Sequence, residues 1–164
     1  MLAGDAPQGM EGDSGPTSTD GKFMNLAIAE ALKSTPVESA YCVGAILVSP
    51  SGAIISSGFS RELPGNTHAE QCALLKLHDR KVAVGATMYS TMEPCSVRLS
   101  GNAPCAQSIV DAGIARVVVG VMEPPDLVVC DGVRILREGG VKVDRLTGFE
   151  ERCLAPNEHI LKHS

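Results

Sequence analysis

Three residues suited to the same metal ion stand far apart in this chain: His68, Cys95 and Cys105. One imidazole and two thiolates can hold a zinc ion and leave its fourth tetrahedral position to water, the arrangement of a catalytic rather than a structural site. They can act together only if the fold brings them to one point. His68 follows Thr67, which reads as a helix N-cap, and Cys95 follows Pro94 at the end of a β-rich run. Cys105 follows Pro104, a residue suited to the first turn of a helix. A helix start, a strand end and a second helix start must therefore converge. Helix N-termini also favour the thiolate that zinc needs. Glu70 lies two residues after His68, where a carboxylate can stand beside a metal-bound water without binding the metal. Such a water has its pKa lowered to about 7, and the carboxylate can take its proton and later deliver it to a leaving group.

The rest of the pattern supplies the elements that this convergence requires. Residues 1–19 are rich in Gly, Pro, Asp and Ser and read as a disordered tail, leaving 20–164 as one domain. Asp20 can cap a helix over 22–33, which Pro36 ends. Two short β-rich runs, 43–48 and 53–57, flank the turn Ser49-Pro50-Ser51-Gly52 and predict a hairpin. A helix over 68–78 follows, with Glu70 three residues beyond Thr67, so a capping-box role competes with catalysis there. Next come a strand over 86–92, a helix over 104–112 closed by Gly113, and a buried-type strand over 116–121. A short helix over 131–138, a strand over 141–146 and a helix over 149–162 interrupted near Pro156 complete the chain. Strands alternating with helices predict a layered α/β sheet, parallel in its second half.

Composition narrows the partners. The net charge is −5, aromatic residues make up 3% and Trp is absent, so neither a basic track nor a stacking platform for nucleic acid is expected. No apolar run opens the chain, so no signal peptide is expected, and no stretch of about 18 apolar residues predicts a membrane span. An intracellular setting is expected, cytoplasmic with the nucleus also open to it. There, the six cysteines are read as metal ligands or core residues rather than disulfides. Cys42, Cys72, Cys130 and Cys153, and likewise His78, His159 and His163, are read as packing or capping residues. Cys72 shares a helix face with His68, yet core packing is expected because the other two thiols complete the site.

The motifs resemble those of the riboflavin-biosynthesis pyrimidine deaminases, within the cytidine deaminase superfamily. The resemblance runs from about Val43 to Leu161 and rests on Thr67-His68-Ala69-Glu70, Met92-Glu93-Pro94-Cys95 and Ala103-Pro104-Cys105-Ala106. It continues through 43–48, 112–120, Leu127-Val128 with Gly132-Val133, 139–143 and Asn157-Glu158. Nine residues separate the two cysteines, where nucleoside and nucleic-acid deaminases mostly have two. Bacterial members have a loop of nearly this length, but theirs carries a His that this loop lacks, and a Pro-Asn-Pro where Ala40-Tyr41-Cys42 stands here. Bacterial members also continue into a reductase domain, so the likeness is to the stand-alone fungal branch.

The resemblance implies a three-layer α-β-α fold with a five-stranded mixed sheet, a Zn2+ cofactor and a homodimer. It implies hydrolysis of 2,5-diamino-6-ribitylamino-4(3H)-pyrimidinone 5′-phosphate to the 2,4-pyrimidinedione and ammonia. Water attacks C2, and Glu70 moves the protons. The expected partner is a phosphorylated small-molecule pyrimidinone, with no nucleic acid and no membrane. Arg98, Ser96, Ser100 and Asn102, in the loop between the two cysteines, are candidates for the phosphate and ribityl groups, with Arg61 a second cation and Ser60 a further contact. Two other readings compete: a zinc deaminase of another base, nucleoside or tRNA adenosine, and a non-catalytic zinc module. The acidic net charge weighs against tRNA, and retention of Glu70 weighs against the module.

Overall fold

The computed structural model of the protein describes residues 18–98, 102–122 and 131–161. The tail expected over 1–19 lies outside them except for Ser18 and Thr19, as do Ser100, Cys130 and His163. Ser18, not Asp20, caps the first helix: its Oγ accepts the N–H of Gly21 at 3.0 Å, and α1 runs Thr19–Ala31. Asp20 sits in the first turn with its carboxylate turned inward. It accepts both Nη atoms of Arg116 at 2.9 and 3.0 Å and the Tyr89 hydroxyl at 2.6 Å.

Five strands form one mixed sheet. β1 (Gly44–Val48) and β2 (Ile54–Phe59) are the predicted hairpin, and β3 (Thr87–Met92), β4 (Arg116–Val121) and β5 (Lys142–Arg145) complete it. Their order is β2-β1-β3-β4-β5, with β1 antiparallel to β2 and β3, and β3, β4 and β5 parallel. Parallel strands need crossovers, and these are α3 (Cys105–Asp111) and α4 (Gly132–Glu138).

The two faces are covered separately, as a sheet with two apolar faces requires. On one, α2 (Ala69–Leu75), α3 and α4 bring Ala69, Ala73, Ala106, Ile109 and Leu136 against Ala45, Leu47, Met88, Val117 and Val119. On the other, α1 and the C-terminal helices α5 (Glu150–Leu154) and α6 (Glu158–Leu161) pack Met24, Ala27, Phe149 and Cys153 against Ile46, Tyr89 and Val118. This is the expected three-layer α-β-α architecture. The interruption expected near Pro156 is a 3-10 turn, Ala155–Asn157, between α5 and α6. It places Asn157, wholly buried, where its amide pairs with both the N–H and the carbonyl of Cys42 at 2.6 and 3.1 Å. No helix among the described residues is long and apolar enough to cross a membrane.

Candidate active site

Two glycines set how closely the helices approach the sheet. Gly58, on β2, packs beneath the first turn of α2, where a Cβ would overlap the carbonyl oxygen of Ala69. Gly44, its near neighbour on β1, does the same for α1 on the opposite face, against the carbonyl oxygen of Ala27. The start of α2, which carries His68 and Glu70, is thus seated against the sheet.

α2 is capped by His68 rather than Thr67, and its helical residues end at Leu75 rather than His78. The Thr67 hydroxyl instead pairs with the N–H and carbonyl of Leu63 at 3.1 and 2.6 Å. The shift of one residue changes which side chain completes the cap. Gln71 is now three beyond the cap, and its Oε1 accepts the His68 N–H at 3.3 Å. Glu70 is released from that duty. Its buried carboxyl turns to the sheet, where the Ser90 hydroxyl donates to Oε1 at 2.9 Å.

β3 ends at Met92 and hands the chain to Glu93, Pro94 and Cys95. Cys95 then receives the start of α3: its carbonyl accepts the Ala106 N–H at 3.1 Å and its Sγ accepts the Cys105 N–H at 3.3 Å. Its neighbours secure α4, since Glu93 Oε2 accepts the Val133 N–H at 3.2 Å and Ser96 Oγ the Asp131 N–H at 3.0 Å. The helix start, strand end and second helix start do converge. Nδ1 of His68 lies 3.5 Å from Cys95 Sγ and 3.3 Å from Cys105 Sγ, and the three donor atoms lie within 4.8 Å of one another. A tetrahedral zinc at ordinary bond lengths sets neighbouring nitrogen and sulfur donors about 3.6 Å apart. The donor set and its spacing therefore fit the metal.

The electrostatics agree. The Cys95 thiol is pushed down to about 4, chiefly by a hydrogen bond from the Cys105 thiol, with His68 and the Cys105 N–H adding to it against the cost of burial. The Cys105 thiol moves up for the complementary reason, since it donates that bond and is buried. Burial also raises the Glu70 carboxyl above the usual carboxylate range, which suits a group that must carry a proton at neutral pH. Cys72 is wholly buried and lies outside the His68–Cys95–Cys105 group.

The remaining candidates are placed as follows. Arg98 Nη1 donates to Gln71 Oε1 at 2.7 Å and to the Ala103 carbonyl at 3.3 Å, and Nη2 donates to the Asn66 carbonyl at 2.8 Å. Its Nε is buried and makes no hydrogen bond among the described residues. Asn102 Nδ2 donates to the Gly65 carbonyl at 3.3 Å, so the loop between the cysteines is braced on the turn before His68. Ser60 pairs with the Val43 N–H at 2.9 Å, and Arg61 is directed at Ser34, Thr35 and Tyr41. Gln71 and Ser90 escaped the reading of the sequence. The signal for Ser90 was a hydroxyl in a strand register otherwise filled by apolar residues.

The sequence profile of the cytidine and deoxycytidylate deaminase zinc-binding region matches residues 17–121. A diaminohydroxyphosphoribosylamino-pyrimidine deaminase of Schizosaccharomyces pombe is 45% identical over 87% of this chain, which spans 36% of that protein's length. Among solved structures, the Rib2 deaminase of Aspergillus oryzae in complex with DARIPP superposes with a TM-score of 0.74 at 34% identity, covering 85% of this chain and 90% of that one. A dCMP deaminase of cyanophage S-TIM5, at 24% identity and a TM-score of 0.60 over 77% of this chain and 96% of its own, shares the fold. The chain belongs to the cytidine and deoxycytidylate deaminase family, among the pyrimidine deaminases of riboflavin biosynthesis.

Proposed function

We propose that this chain hydrolyses the 2-amino group of 2,5-diamino-6-ribitylamino-4(3H)-pyrimidinone 5′-phosphate, giving the 2,4-dione and ammonia. The observation that carries the reading is the meeting of His68 Nδ1, Cys95 Sγ and Cys105 Sγ beside the buried Glu70 carboxyl. The two fungal likenesses reported above support a phosphorylated pyrimidine. His68, Cys95 and Cys105 are assigned to hold zinc, which when bound supplies Lewis acidity and a more acidic water. Glu70 accepts a proton from the attacking water and passes it to the ring nitrogen, then takes the remaining proton from the C2 hydroxyl and delivers it to the exocyclic amine as the C–N bond breaks and ammonia leaves. Desolvation raises its carboxyl, the direction that a proton carrier at neutral pH needs.

Arg98 is assigned to the entrance. Its Nη atoms brace the loop, and its guanidinium supplies the positive charge assigned to the substrate phosphate. Ser96, Asn102 and Ser100 share that loop and are assigned to the same end of the substrate. Ser60 and Arg61, bonded to Val43 and to Ser34 and Tyr41, are assigned to hold that neighbouring segment rather than the substrate. Thiolate ligands suit a reducing, cytoplasmic setting, and a homodimer is the proposed assembly.

Ammonia release from the ribityl 5′-phosphate, its ribosyl counterpart and the dephosphorylated compound tests the assignment. The ribityl phosphate should give the highest kcat/KM and the dephosphorylated compound the lowest, because a site that pairs substrate hydroxyls discriminates against compounds lacking them. Glu70→Gln should keep zinc and fold while losing about 100-fold or more in kcat. Cys95→Ala and Cys105→Ala should lose zinc, whereas Cys72→Ala should retain it. Comparable turnover of cytidine or deoxycytidylate would move the chain to another branch of its family.

A further inference from the structure

Ser90 stands at the middle of β3, wholly buried. In the sheet it is paired with Ala45 of β1 and Val119 of β4, and its face also carries Leu47, Met88 and Val117. A hydroxyl in such a row has no reason to be there for packing, since burying it without a partner costs stability. Its partners are Glu70 Oε1 at 2.9 Å and the Met92 carbonyl at 2.7 Å.

A serine hydroxyl has one hydrogen, and both of these distances describe donation by it. It cannot serve both acceptors at once. Given to Glu70, it holds Oε1 whether or not the other carboxyl oxygen carries a proton, since the carbonyl oxygen of a neutral carboxyl still accepts. The carboxyl is thus anchored by one oxygen, and the other is the one assigned to the reacting atoms. An anchor with this property suits a group that must both accept and return a proton within one turnover.

We infer that Ser90 is a positioning residue for Glu70, holding the carboxyl by Oε1 through its buried hydroxyl. The inference rests on Glu70 being the proton carrier. A carboxyl that loses this anchor samples several rotamers, and the reaction suffers through orientation rather than substrate affinity.

Ser90→Ala and Ser90→Thr, prepared as zinc-loaded proteins, test it. In Ser90→Ala, kcat should fall about 10- to 100-fold with KM within about twofold, the pattern of an interaction lost from the chemical step. Zinc content should remain one per chain. A crystal structure of the variant should show the Glu70 carboxyl displaced or in several conformers, with His68, Cys95 and Cys105 unmoved. Ser90→Thr, which keeps the hydroxyl, should recover most of kcat. Unchanged kcat in Ser90→Ala, or an unmoved Glu70 carboxyl, would overturn the inference. So would a fall in kcat accompanied by loss of zinc or of folding, which would make Ser90 a packing residue. The two readings fail separately: turnover surviving Glu70→Gln removes the proton carrier, whereas turnover surviving Ser90→Ala with Glu70→Gln inactive removes Ser90 alone.

Discussion

Gln71 Oε1 is shared by Arg98, whose Nη1 donates to it at 2.7 Å, and by the His68 N–H at 3.3 Å. One amide oxygen with two lone pairs therefore joins the loop between the two cysteines to the start of α2. The three metal-ligand candidates come from three segments, and this bridge fixes one against another. Outer partners of this kind typically contribute 10- to 100-fold to metal affinity. Gln71→Ala should lower zinc affinity by about 10-fold, read by chelator competition. Arg98→Lys should do the same, because one ammonium cannot span the Gln71, Ala103 and Asn66 oxygens that the guanidinium reaches.

Gly58→Ala should cost both stability and metal. The new Cβ would overlap the Ala69 carbonyl oxygen and come within 2.8 Å of the Ala73 nitrogen, both backbone atoms of α2. The helix must move off the sheet, and His68 and Glu70 move with it. Overpacking typically costs about 1–3 kcal/mol. Gly44→Ala supplies the comparison, since it meets the backbone of α1 on the opposite face. Thermal melts should show both variants destabilised, and zinc analysis should show loss in Gly58→Ala alone.

Much of this was legible in the sequence because the signals were local. Runs of Val and Ile, the Ser-Pro-Ser-Gly turn and the Pro-Cys junctions each mark an element by its own chemistry, and the metal-ligand types then require those elements to meet. Positions that depend on register were not legible. Whether Thr67 or His68 caps α2 is a shift of one residue, yet it decides whether Glu70 or Gln71 closes the cap. Asp20 read as a cap because Asp favours that position, but its pairing with Arg116 lies 96 residues away. The Ser90–Glu70 contact likewise needs the packing of α2 on β3.

Arg116 holds two buried carboxylates. Its Nη atoms meet Asp20 and its Nε meets Asp144 Oδ2 at 2.7 Å, joining α1 to β4 and β5. Removing one partner of such a cluster leaves charge buried without compensation, which typically costs about 3–5 kcal/mol. Because the Arg116 side chain retains 24% exposure, the lower end applies, and Arg116→Met should lose about 3 kcal/mol in urea unfolding. Tyr89→Phe removes one hydrogen bond to Asp20 and should lose about 1–2 kcal/mol. Zinc content should be unaffected in both, since the cluster does not touch the metal-ligand residues.

Stability should fall in alkali, beginning at a buried thiol. Cys153 is 1% exposed, and burial pushes its thiol from 9.0 up to about 12, with Glu150 adding to the rise and Arg152 opposing it. The unfolded chain releases this proton near pH 9 while the folded protein keeps it. The folded state therefore binds more protons between those values. Its advantage is complete below pH 9 and is lost as pH rises toward 12, at up to about 1.4 kcal/mol per pH unit. The Tyr89 hydroxyl is raised as well, by burial and by its bond to Asp20, and adds the same sign of dependence above about pH 10. Thermal melts of the zinc-loaded protein should be level from pH 7 to about 8.5 and then decline. Cys153→Ala should melt lower at pH 7, because the thiol packs against Gly120, where a Cβ would meet its sulfur. Its decline should start only near pH 10, where Tyr89 begins to titrate in the unfolded chain. An onset unmoved from about pH 8.5 in that variant would place the alkaline lability in another group.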